Sequence, residues 1–409
     1  MTSLQRVVIV GGCGHVGLPL GIVLASKAHL QVDLLDIDRA KVDLVNSGTM
    51  PFMERGADEL LLSVVQKSLR ATLDPSCISE ADVVITVVGT PVDRHLNPTV
   101  GEVYQSIGAL LNHMQDGSLL VLRSTVYPGV TKLVYERLRK LNRRVLLAFC
   151  PERIAEGNAV EELLKLPQII SGFEPEAVAA ASRLFRMISP SLIELTPREA
   201  ELAKLFTNAW RYLNFAVSNQ FYMLAQSCGL DFYRIHDAVT RDYPRMRSFA
   251  KAGFAAGPCL LKDTLQLAAF SQNNFFLGHA AMLINEGLPM FLVQQLRRHD
   301  LSSKRVAILG MAFKAESDDQ RDSLSYKLKK LLEVEALEVL CTDPYVSDPS
   351  LVPLETAIKQ ADIVIVGAPH AVYRDVGIPK EKIVVDAWSF LPVENSPQQA
   401  SERTASREA

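Results

Sequence analysis

The sequence predicts an α/β protein in which two parallel-sheet regions flank an all-helical one. Strand-like apolar runs alternate with helical patterns over residues 1–196, and the alternation returns after residue 298. The stretch between them carries long amphipathic patterns with few strand candidates. A chain of 409 residues is also too long for one compact core, which favours several domains.

Seven strand-like apolar runs predict the parallel sheet of the first region. In chain order they are RVVIV, QVDLLDID, ADVVITVVG, SLLVLRSTV, RVLLAFCP, PQIISG and SLIELT. Four more follow the basic segment RRHDLSSKR, namely RVAILGMAF, LEVLCTDPYV, ADIVIVGAPH and EKIVVDAW. A helix is predicted from about Ser323, between the first two of these. We therefore expect a second, smaller α/β domain at the C-terminal end.

The middle region is predicted to be helical because apolar residues recur there at helical spacing. The pattern begins with Leu202, Leu205, Phe206 and Ala209. The closing polar segment has too little apolar surface to offset the entropy of ordering it, which predicts a disordered tail. The predicted domains and tail are 1–196, 197–298, 299–394 and 395–409.

Composition and charge exclude several classes of protein. Hydrophobic residues make up 48% and charged residues 22% of the chain, as in ordinary globular proteins. The net charge of −3 offers no electrostatic basis for a nucleic-acid or anionic-membrane partner. The six cysteines are scattered without a CxxC pair, and no two histidines have metal-ligand spacing, so we expect neither a metal site nor a disulfide framework.

Two segments bear on the location of the protein. The polar N-terminus leads directly into RVVIV and leaves no room for a signal peptide. Residues 264–285 carry no formal charge, but amides such as Gln266 and Asn273 would be unpaired in a membrane, which favours a buried helical hairpin. We expect a cytoplasmic protein with reduced thiols and no membrane association.

A glycine-rich turn follows the first predicted strand. In GGCGHVG, residues Gly12, Gly14 and Gly17 fit the GxGxxG pattern, and a helical segment comes next. The first glycine allows the tight turn, the second lets the backbone approach a pyrophosphate, and the third lets the helix pack closely. The strand, turn and helix together predict a dinucleotide site of the Rossmann type rather than a structural turn.

An acidic residue ends the second predicted strand, as this type of site requires. Asp36 lies about twenty residues beyond the glycines, where a carboxylate binds the ribose 2′-hydroxyl. No arginine follows it immediately, which favours NAD. Arg39 and Lys41 are near enough to keep NADP as an alternative.

Two further pairs of residues have spacing that suits chemistry. Lys204 and Asn208 lie four apart in KLFTN, so they share a helix face and could stabilise a developing alkoxide. Cys259 and Asp263 lie four apart after a glycine-rich loop, where a helix N-terminus would lower the pKa of the thiol. Each pair also has a purely structural interpretation. Lys204 could be a solvated lysine beside a capping or core Asn208, and Cys259 could be a small buried apolar residue.

Taken in chain order, these motifs resemble the UDP-glucose/GDP-mannose dehydrogenase family, the nucleotide-sugar 6-dehydrogenases. The matching segments cover nearly the whole chain: GGCGHVGLPL, STVYPGVT, CPERIAEG, ELAKLFTNAWR, GFAAGPCLLKD, GMAFKAESDDQRDS and TDPYV. The resemblance implies an N-terminal Rossmann-type NAD domain, a central all-helical dimerisation domain and a C-terminal Rossmann-like domain that helps bind the nucleotide. It also implies a nucleotide-sugar substrate and at least a homodimer.

In such enzymes NAD oxidises the C6 alcohol of the sugar twice, to the uronic acid. A second hydride leaves readily only after a nucleophile has added to the aldehyde carbon. The resemblance gives this role to Cys259, through a thiohemiacetal and then a thioester. It implies that Lys204 and Asn208 stabilise the oxyanion. It also implies that Asp263, together with Thr125, orients or activates water.

The sequence does not decide which of two acids is the general base in thioester hydrolysis. Glu152 of the PER segment is favoured, and Asp263 is the alternative. The cofactor contacts implied by the resemblance are Gly12, Gly14, His15, Val16, Gly17, Asp36, Thr90, Pro91, Thr125 and Glu156. The implied substrate contacts are Glu152, Arg153, Ile154, Glu156, Lys204, Asn208, Phe254, Gly257, Lys314 and Arg321.

Some positions depart from the family pattern or align loosely. Ala256 replaces the first of the paired glycines before the cysteine, and Leu261 and Leu324 stand where other residues are frequent. None of these changes removes a reacting atom, so we expect an active enzyme. Either Arg245 or Arg247 is expected to reach the sugar across a dimer, and the sequence does not choose between them.

Three functions follow from the sequence. The first is the nucleotide-sugar 6-dehydrogenase, with UDP-glucose and UDP-N-acetylhexosamine ahead of GDP-mannose as substrates. The second is a β-hydroxyacid dehydrogenase, which also combines a Rossmann domain with a Lys–Asn pair but removes a single hydride. The third is a catalytically silent binding protein, suggested only by the altered glycine loop.

Overall fold

The computed structural model describes residues 4–89 and 100–392. These residues pack as two compact units. Unit 1 comprises the residues up to Thr207 together with Leu265–Asn273, and unit 2 comprises Asn208–Thr264 and the residues from Asn274 onward. The predicted helical domain contributes to both units, and the predicted three-domain division stays a prediction. The predicted tail, 395–409, lies outside the described residues.

A six-stranded parallel sheet forms the centre of unit 1, in the order β3-β2-β1-β4-β5-β6. Its strands are β1 (Arg6–Val10), β2 (Gln31–Leu35), β3 (Leu69–Thr72), β4 (Val83–Thr86), β5 (Leu119–Leu122) and β6 (Leu146–Phe149). This is the strand order of a doubly wound dinucleotide-binding sheet, and the order reverses between β1 and β4. Two more strands, β7 (Gln168–Ser171) and β8 (Leu192–Leu195), form a separate parallel pair.

Helices cover both faces of this sheet because alternate strand residues are apolar on both sides. Val7 and Ile9 of β1 pack into one core cluster, and Val8 packs into the other. Both clusters are nearly closed to solvent, as parallel sheets require. The helices of unit 1 up to residue 185 are α1 (Gly17–Lys27), α2 (Arg39–Asn46), α3 (Ala57–Val64), α4 (Val100–Leu111), α5 (Val130–Lys140), α6 (Ala159–Lys165) and α7 (Pro175–Phe185).

The edge strand β3 was not predicted from the sequence. All seven predicted runs of this region contain a strand, but LRAT was not among them. It is only four residues long, and it places Arg70 in solvent between buried Leu69 and Ala71. Such a short alternating segment lacks the continuous apolar signal that marks the central strands.

The middle of the chain is helical, as predicted. It contains α8 (Pro197–Ser227), α9 (Phe232–Thr240), α10 (Leu260–Phe270) and α11 (Phe276–Leu296). The uncharged segment 264–285 lies in α10, the turn after it and α11, so it is helical as predicted. The buried hairpin packing of these two helices stays a prediction. The segment Phe276–His299 is long and apolar enough to span a membrane, with 39% of its most apolar window buried. One such helix is weak evidence for a span, because core helices have the same composition.

The C-terminal part of unit 2 is a four-stranded parallel sheet in the order β10-β9-β11-β12. Its strands are β9 (Arg305–Leu309), β10 (Glu338–Thr342), β11 (Ile363–Val366) and β12 (Ile383–Val385), one in each predicted run. The helices of this part are α12 (Leu324–Leu332) and α13 (Leu354–Gln360). Ser323 caps α12 by accepting the Ser325 N–H, close to the predicted helix start.

Candidate active site

The glycine turn after β1 has the geometry of a dinucleotide cradle. A Cβ on Gly12 would lie 2.7 Å from a carbonyl oxygen of β1, and one on Gly17 would lie 2.8 Å from the carbonyl oxygen of Gly11. A Cβ on Gly14 would meet nothing closer than 3.7 Å. The first and third glycines are therefore required by the internal packing of the protein, whereas Gly14 leaves an open approach to the backbone. Val16 precedes α1, so the N-terminus of this helix follows the turn.

Asp36 directly follows β2 and is held against the glycine turn. Its Oδ2 accepts the Cys13 N–H at 2.9 Å, and its Oδ1 accepts the N–H groups of the next two residues. A carboxylate here can bind ribose hydroxyls and repels a 2′-phosphate. Arg39 begins α2, and the Lys41 ammonium lies 3.9 Å from Asp38. The arrangement of acid and glycine turn fits NAD.

Thr125 lies at the carboxyl edge of the same sheet, three residues beyond β5, and is half-buried. Because β4 and β5 are neighbours, this edge is shared with the segment that follows β4. Thr90 and Pro91, the cofactor contacts expected in that segment, lie outside the described residues.

The segment PERIAEG follows β6 at this edge and is tied down at several points. Glu152 is buried, and its Oε1 accepts the N–H groups of Arg153 and Ile154 at 2.7 and 3.0 Å. Its Oε2 pairs with the Arg123 guanidinium. The Arg153 guanidinium donates to the Pro167 carbonyl. No role was predicted for Arg123. Its position directly after the apolar strand LLVL was the available sign that its guanidinium is buried.

Helix α8 carries the predicted Lys–Asn pair. Lys204 is half-buried and lies one turn before Asn208, which is 3% exposed. The Asn208 amide nitrogen donates to Asp263 Oδ2 at 2.6 Å, and the Lys262 ammonium lies 3.1 Å from Asp263 Oδ1. The Asn208–Asp263 bond joins the two motifs that the sequence identified separately, and spacing along the chain could not have predicted it.

Cys259 lies directly before α10, as the spacing predicted. The Asp263 N–H donates to the Cys259 carbonyl oxygen at 2.9 Å, which closes the first turn of the helix. The Cys259 residue is exposed, whereas Asp263 is completely buried. The N-terminus of a helix favours negative charge, so the position suits a thiolate.

The other cysteines differ from Cys259. All six lie in the described residues, and none forms a disulfide. Burial raises the pKa values of the Cys13 and Cys150 thiols to about 12 and those of Cys77 and Cys341 to about 11. Only Cys228 is exposed like Cys259, and it lies in an apolar groove on the helical part.

The loop before Cys259 is pinned to α8 and α11. The Asn219 side chain binds both the N–H and the carbonyl of Gly253, at 2.9 and 3.0 Å, and also donates to Asn285. Gly257 has φ +95°, and a Cβ there would lie 2.5 Å from the Phe313 ring. Phe254, an expected substrate contact, is 4% exposed. Its ring packs in a hydrophobic cluster and so stabilises the loop, with little surface left to contact a substrate.

The two cations expected to bind the nucleotide lie in the segment after β9. Lys314 is half-buried, with its ammonium 5.7 Å from the centre of the Phe313 ring. The exposed Arg321 guanidinium forms a double contact with Asp319, at 2.6 to 2.9 Å. This pairing orients the arginine before any phosphate arrives.

A buried acid–histidine pair anchors this segment, and the sequence analysis did not find it. Asp343 directly follows β10, and its Oδ2 accepts the N–H groups of Met311 and Ala312 at 2.7 and 2.9 Å. His370 Nε2 lies 3.1 Å from the same oxygen, while its Nδ1 accepts the Glu316 N–H at 3.0 Å. These two bonds assign the proton to Nε2. The signal was an acid after the second strand, the position that Asp36 occupies in unit 1.

Family models match all three parts of the chain. The NAD binding domain of the UDP-glucose/GDP-mannose dehydrogenase family matches residues 5–189. The central domain of that family matches residues 198–286, and its UDP binding domain matches residues 307–392. The matched regions include the glycine turn, the Lys–Asn pair, Cys259 and the anchored segment after β9.

The chain is also similar to characterised proteins over most of its length. It is 26% identical to the UDP-N-acetyl-D-mannosamine dehydrogenase of Methanocaldococcus jannaschii, over 95% of this chain and 93% of that one. The structure of a UDP-D-ManNAc dehydrogenase from Pyrococcus horikoshii superposes with a TM-score of 0.88 at 27% identity, covering 95% of this chain and 96% of that one. A UDP-glucose dehydrogenase from Pyrobaculum islandicum also gives 0.88, at 25% identity, covering 97% of this chain and 96% of that one.

Proposed function

The chain belongs to the UDP-glucose/GDP-mannose dehydrogenase family and is an NAD-dependent oxidoreductase, and from this premise we propose that it oxidises the C6 hydroxyl of a UDP-linked sugar twice, to the uronate. One observation carries the proposal. Cys259 is exposed at the N-terminus of α10, one turn from the buried Asp263 that binds Asn208. A single oxidation of an alcohol needs no such thiol.

In the first oxidation, the C6 hydroxyl releases its proton to water and the C6 carbon loses a hydride. Lys204 and Asn208 stabilise the negative charge that develops on the oxygen, since an ammonium and an amide N–H are both donors. The residues that hold the cofactor are those of the glycine turn together with Asp36. NAD, when bound, accepts one hydride in each oxidation.

In the second oxidation, Cys259 supplies the nucleophile. Its sulfur bonds to the aldehyde carbon, and the carbonyl oxygen becomes the oxyanion of a thiohemiacetal. The same Lys204 and Asn208 stabilise this charge. Loss of the second hydride from that carbon leaves a thioester on Cys259, which water then hydrolyses. Asp263, with Thr125, orients the water, and either Glu152 or Asp263 takes its proton.

The substrate is proposed to be a UDP-N-acetylhexosamine, with UDP-glucose as the second candidate. The name of the Methanocaldococcus jannaschii relative supports the first, and the equal structural similarity of a UDP-glucose dehydrogenase keeps the second. Lys314 and Arg321 are proposed to bind the diphosphate, because the segment that carries them is anchored by Asp343 before substrate binds.

A homodimer built on the helical part is proposed as the minimum assembly. Large apolar residues of α8 are exposed at intervals of seven, four and three residues, namely Trp210, Val217, Phe221 and Leu224, at 47% to 62% exposure. Phe221 and Leu224 line an apolar groove of about 800 Å³. A stripe of this length on one helix suits a second copy of the same helix. Arg245 and Arg247 are exposed on either side of Met246, which lines this groove, and one of the two is proposed to reach the sugar across the dimer.

The test is the number of NADH molecules formed per sugar. UDP-N-acetyl-D-mannosamine, UDP-N-acetylglucosamine, UDP-glucose and GDP-mannose are each given in limiting amount, and NADH is measured by absorbance. We expect two NADH per sugar with a UDP-linked substrate. One NADH would support the β-hydroxyacid type of chemistry, and none with tight binding would support a silent binding protein.

A further inference from the structure

A buried carboxylate on α8 binds the backbone at the N-terminus of α5. Glu201 is 2% exposed, and its Oε2 accepts the Gly129 N–H at 2.7 Å while its Oε1 accepts the Thr131 N–H at 2.9 Å. The Arg198 guanidinium, one turn earlier on α8, lies 4.0 Å from Oε2. Both carboxylate oxygens therefore have fixed partners, and the two N–H groups belong to residues 72 and 70 positions away in the chain.

Helix α5 depends on this carboxylate because its own sequence offers no cap. Its N-cap residue is Gly129, which has no side chain to accept an N–H, and its first turn, residues 130–133, reads VTKL and contributes no acid. The first N–H groups of a helix need acceptors, and its N-terminus favours negative charge. Glu201 supplies both from another helix, through hydrogen bonds that are strengthened by its charge.

The segment that Glu201 holds carries Thr125. This segment connects the end of β5 to Gly129, and it is also fixed at its other end, where the Ser124 hydroxyl donates to the Val88 carbonyl oxygen at 2.7 Å. Thr125 follows Ser124 and precedes Gly129 by four residues. The backbone position of Thr125 is therefore set by one contact beyond β4 and by one contact to α8.

Apolar contacts bring the same elements together around this carboxylate. Val126 is 3% exposed and packs in the same core cluster as Ala200, the residue before Glu201. The Tyr127 ring meets the Phe270 ring edge-on with 6.0 Å between their centres, and the Arg198 guanidinium lies 5.5 Å from the centre of the Phe270 ring. The start of α8 and the segment after β5 are thus packed as well as hydrogen-bonded.

We propose that Glu201 is a positioning residue that fixes Thr125 relative to α8, the helix on which Lys204 lies one turn further on. The inference rests on the proposed function, in which Thr125 orients the water and Lys204 stabilises the oxyanion. Both groups act on the same carbon of the sugar, so their relative placement determines the rate. Glu201 makes no contact with the reacting atoms and acts through Thr125.

The test compares Glu201→Gln, Thr125→Val and the double variant. Glutamine keeps the size of the side chain but has one acceptor oxygen, so one of the two N–H bonds is lost together with the charge. Steady-state kcat and KM are measured by NADH absorbance with UDP-N-acetyl-D-mannosamine and with UDP-glucose. We expect Glu201→Gln to lower kcat by up to about 10²-fold, because a displaced Thr125 misplaces the water.

The KM for the nucleotide sugar is expected to stay unchanged in Glu201→Gln, because the diphosphate is proposed to bind the segment after β9. The double variant should be no slower than the slower single variant, since Glu201 acts through Thr125. A normal kcat in Glu201→Gln would overturn the proposal. A double variant that loses the product of the two single effects would also overturn it, as would an unchanged kcat in Thr125→Val.

Asp82 supplies the matched control. Its Oδ2 accepts the N–H groups of Gln5 and Arg6 at 2.8 and 2.9 Å, at the opposite, amino edge of the same sheet. Asp82→Asn is expected to lower the unfolding free energy and to leave kcat unchanged. An equal loss of kcat in Asp82→Asn and Glu201→Gln would overturn the proposal, because the loss would then follow from any weakened carboxylate–backbone contact.

Hydrogen exchange gives a readout that does not depend on turnover. Glu201→Gln should speed the exchange of the amides of residues 129 and 131 and leave those of residues 5 and 6 unchanged, and Asp82→Asn should do the reverse. Unchanged exchange at residues 129 and 131 would overturn the positioning role. A wild-type enzyme that forms no NADH with any nucleotide sugar, with this exchange pattern present, would refute the proposed function and leave the contact between α8 and α5 established.

Discussion

Cys259 differs from four of the other cysteines in where its sulfur lies. Burial raises the pKa of each of those four thiols, which keeps them protonated at neutral pH. Cys259 is exposed at a helix N-terminus, one turn before Asp263. Burial and helix position therefore select the same thiol that its spacing to Asp263 had indicated in the sequence.

Replacing Cys259 with serine is expected to stop the second oxidation. A hydroxyl is a poorer nucleophile than a thiolate and a poorer leaving group, so the reaction should end after one NADH per sugar or stall as a hemiacetal. NADH stoichiometry and chromatography of the sugar product measure this. Cys228→Ser is the matched control, since Cys228 is the other exposed cysteine, and it should still yield two NADH. Full uronate production by Cys259→Ser would contradict the mechanism.

Replacing Lys204 with alanine is expected to lower kcat by about 10²- to 10³-fold, the usual effect of removing one oxyanion donor. The loss should appear in steady-state kcat, measured by NADH absorbance, and not in the melting temperature. Lys132→Ala removes a lysine whose side chain is 67% exposed on α5, and it serves as the control. An unchanged kcat for Lys204→Ala would remove the role proposed for this residue.

At the scale of elements, the loop before Cys259 takes its shape from its neighbours. Asn219 of α8 accepts the Gly253 N–H and donates to the Gly253 carbonyl oxygen, and it also donates to Asn285 of α11. The Gly257 N–H donates to the Asp322 carbonyl oxygen at 3.3 Å, which joins the cysteine loop to the segment that carries Arg321. The departure from the family pattern falls at Ala256, so the glycine that the packing requires is still present.

Gly257→Ala is expected to destabilise the protein and slow the reaction. The residue has φ +95°, and its new Cβ would lie 2.5 Å from the Phe313 ring. Backbone strain costs about 1–2 kcal/mol and overpacking about 1–3 kcal/mol more. Gly229→Ala is the matched control, because Gly229 has φ +71° with nothing within 4 Å, and it carries the strain alone. Urea unfolding and kcat test the difference, and equal losses for both variants would refute the packing argument.

The Asp343–His370 pair is expected to stabilise the folded protein less at acidic pH than at neutral pH. Burial raises the pKa of Asp343, but the bonds from His370 and four backbone N–H groups outweigh it and lower that pKa to about 2. Because the pKa is lower in the folded state than in the unfolded state, the stabilisation is complete above about pH 4 and is lost as pH falls toward 2. It amounts to about 2 kcal/mol.

Asp343→Asn removes this titration while keeping the size of the side chain. Urea unfolding at pH 7 and pH 3 should therefore show a smaller loss of unfolding free energy on acidification in Asp343→Asn than in the wild type. Asp116→Asn is a control, because that acid lies in an exposed contact with Arg143. Identical pH dependence in wild type and Asp343→Asn would contradict the assignment.

At the scale of the whole molecule, the exposed stripe of α8 is the feature that a monomer does not explain. Trp210→Glu is expected to convert the proposed dimer into a monomer, because it places a charge within the apolar stripe of α8. Light scattering after size-exclusion chromatography measures the mass. Val334→Glu, at a residue that is 84% exposed and outside the helical part, should leave the mass unchanged. A monomeric wild-type protein would refute the proposed assembly.

The sequence by itself determined the order of the α/β and helical regions, eleven of the twelve strands within the described residues and the acid after β2, because each of these is encoded in a short stretch of chain. The periodicity of RVVIV, the spacing of Gly12, Gly14 and Gly17 and the position of Cys259 before a helix are all local. It missed β3, whose alternating four residues resemble a polar loop.

Only the tertiary structure decided which distant side chains meet. The Asn208–Asp263 bond, the Arg123–Glu152 pair and the Asp343–His370 pair join residues 55, 29 and 27 positions apart. No periodicity connects such residues, because their contacts depend on how strands and helices pack and on the need of each buried charge or amide for a partner. The sequence named both Glu152 and Asp263 as candidate bases, and packing is what distinguishes their surroundings.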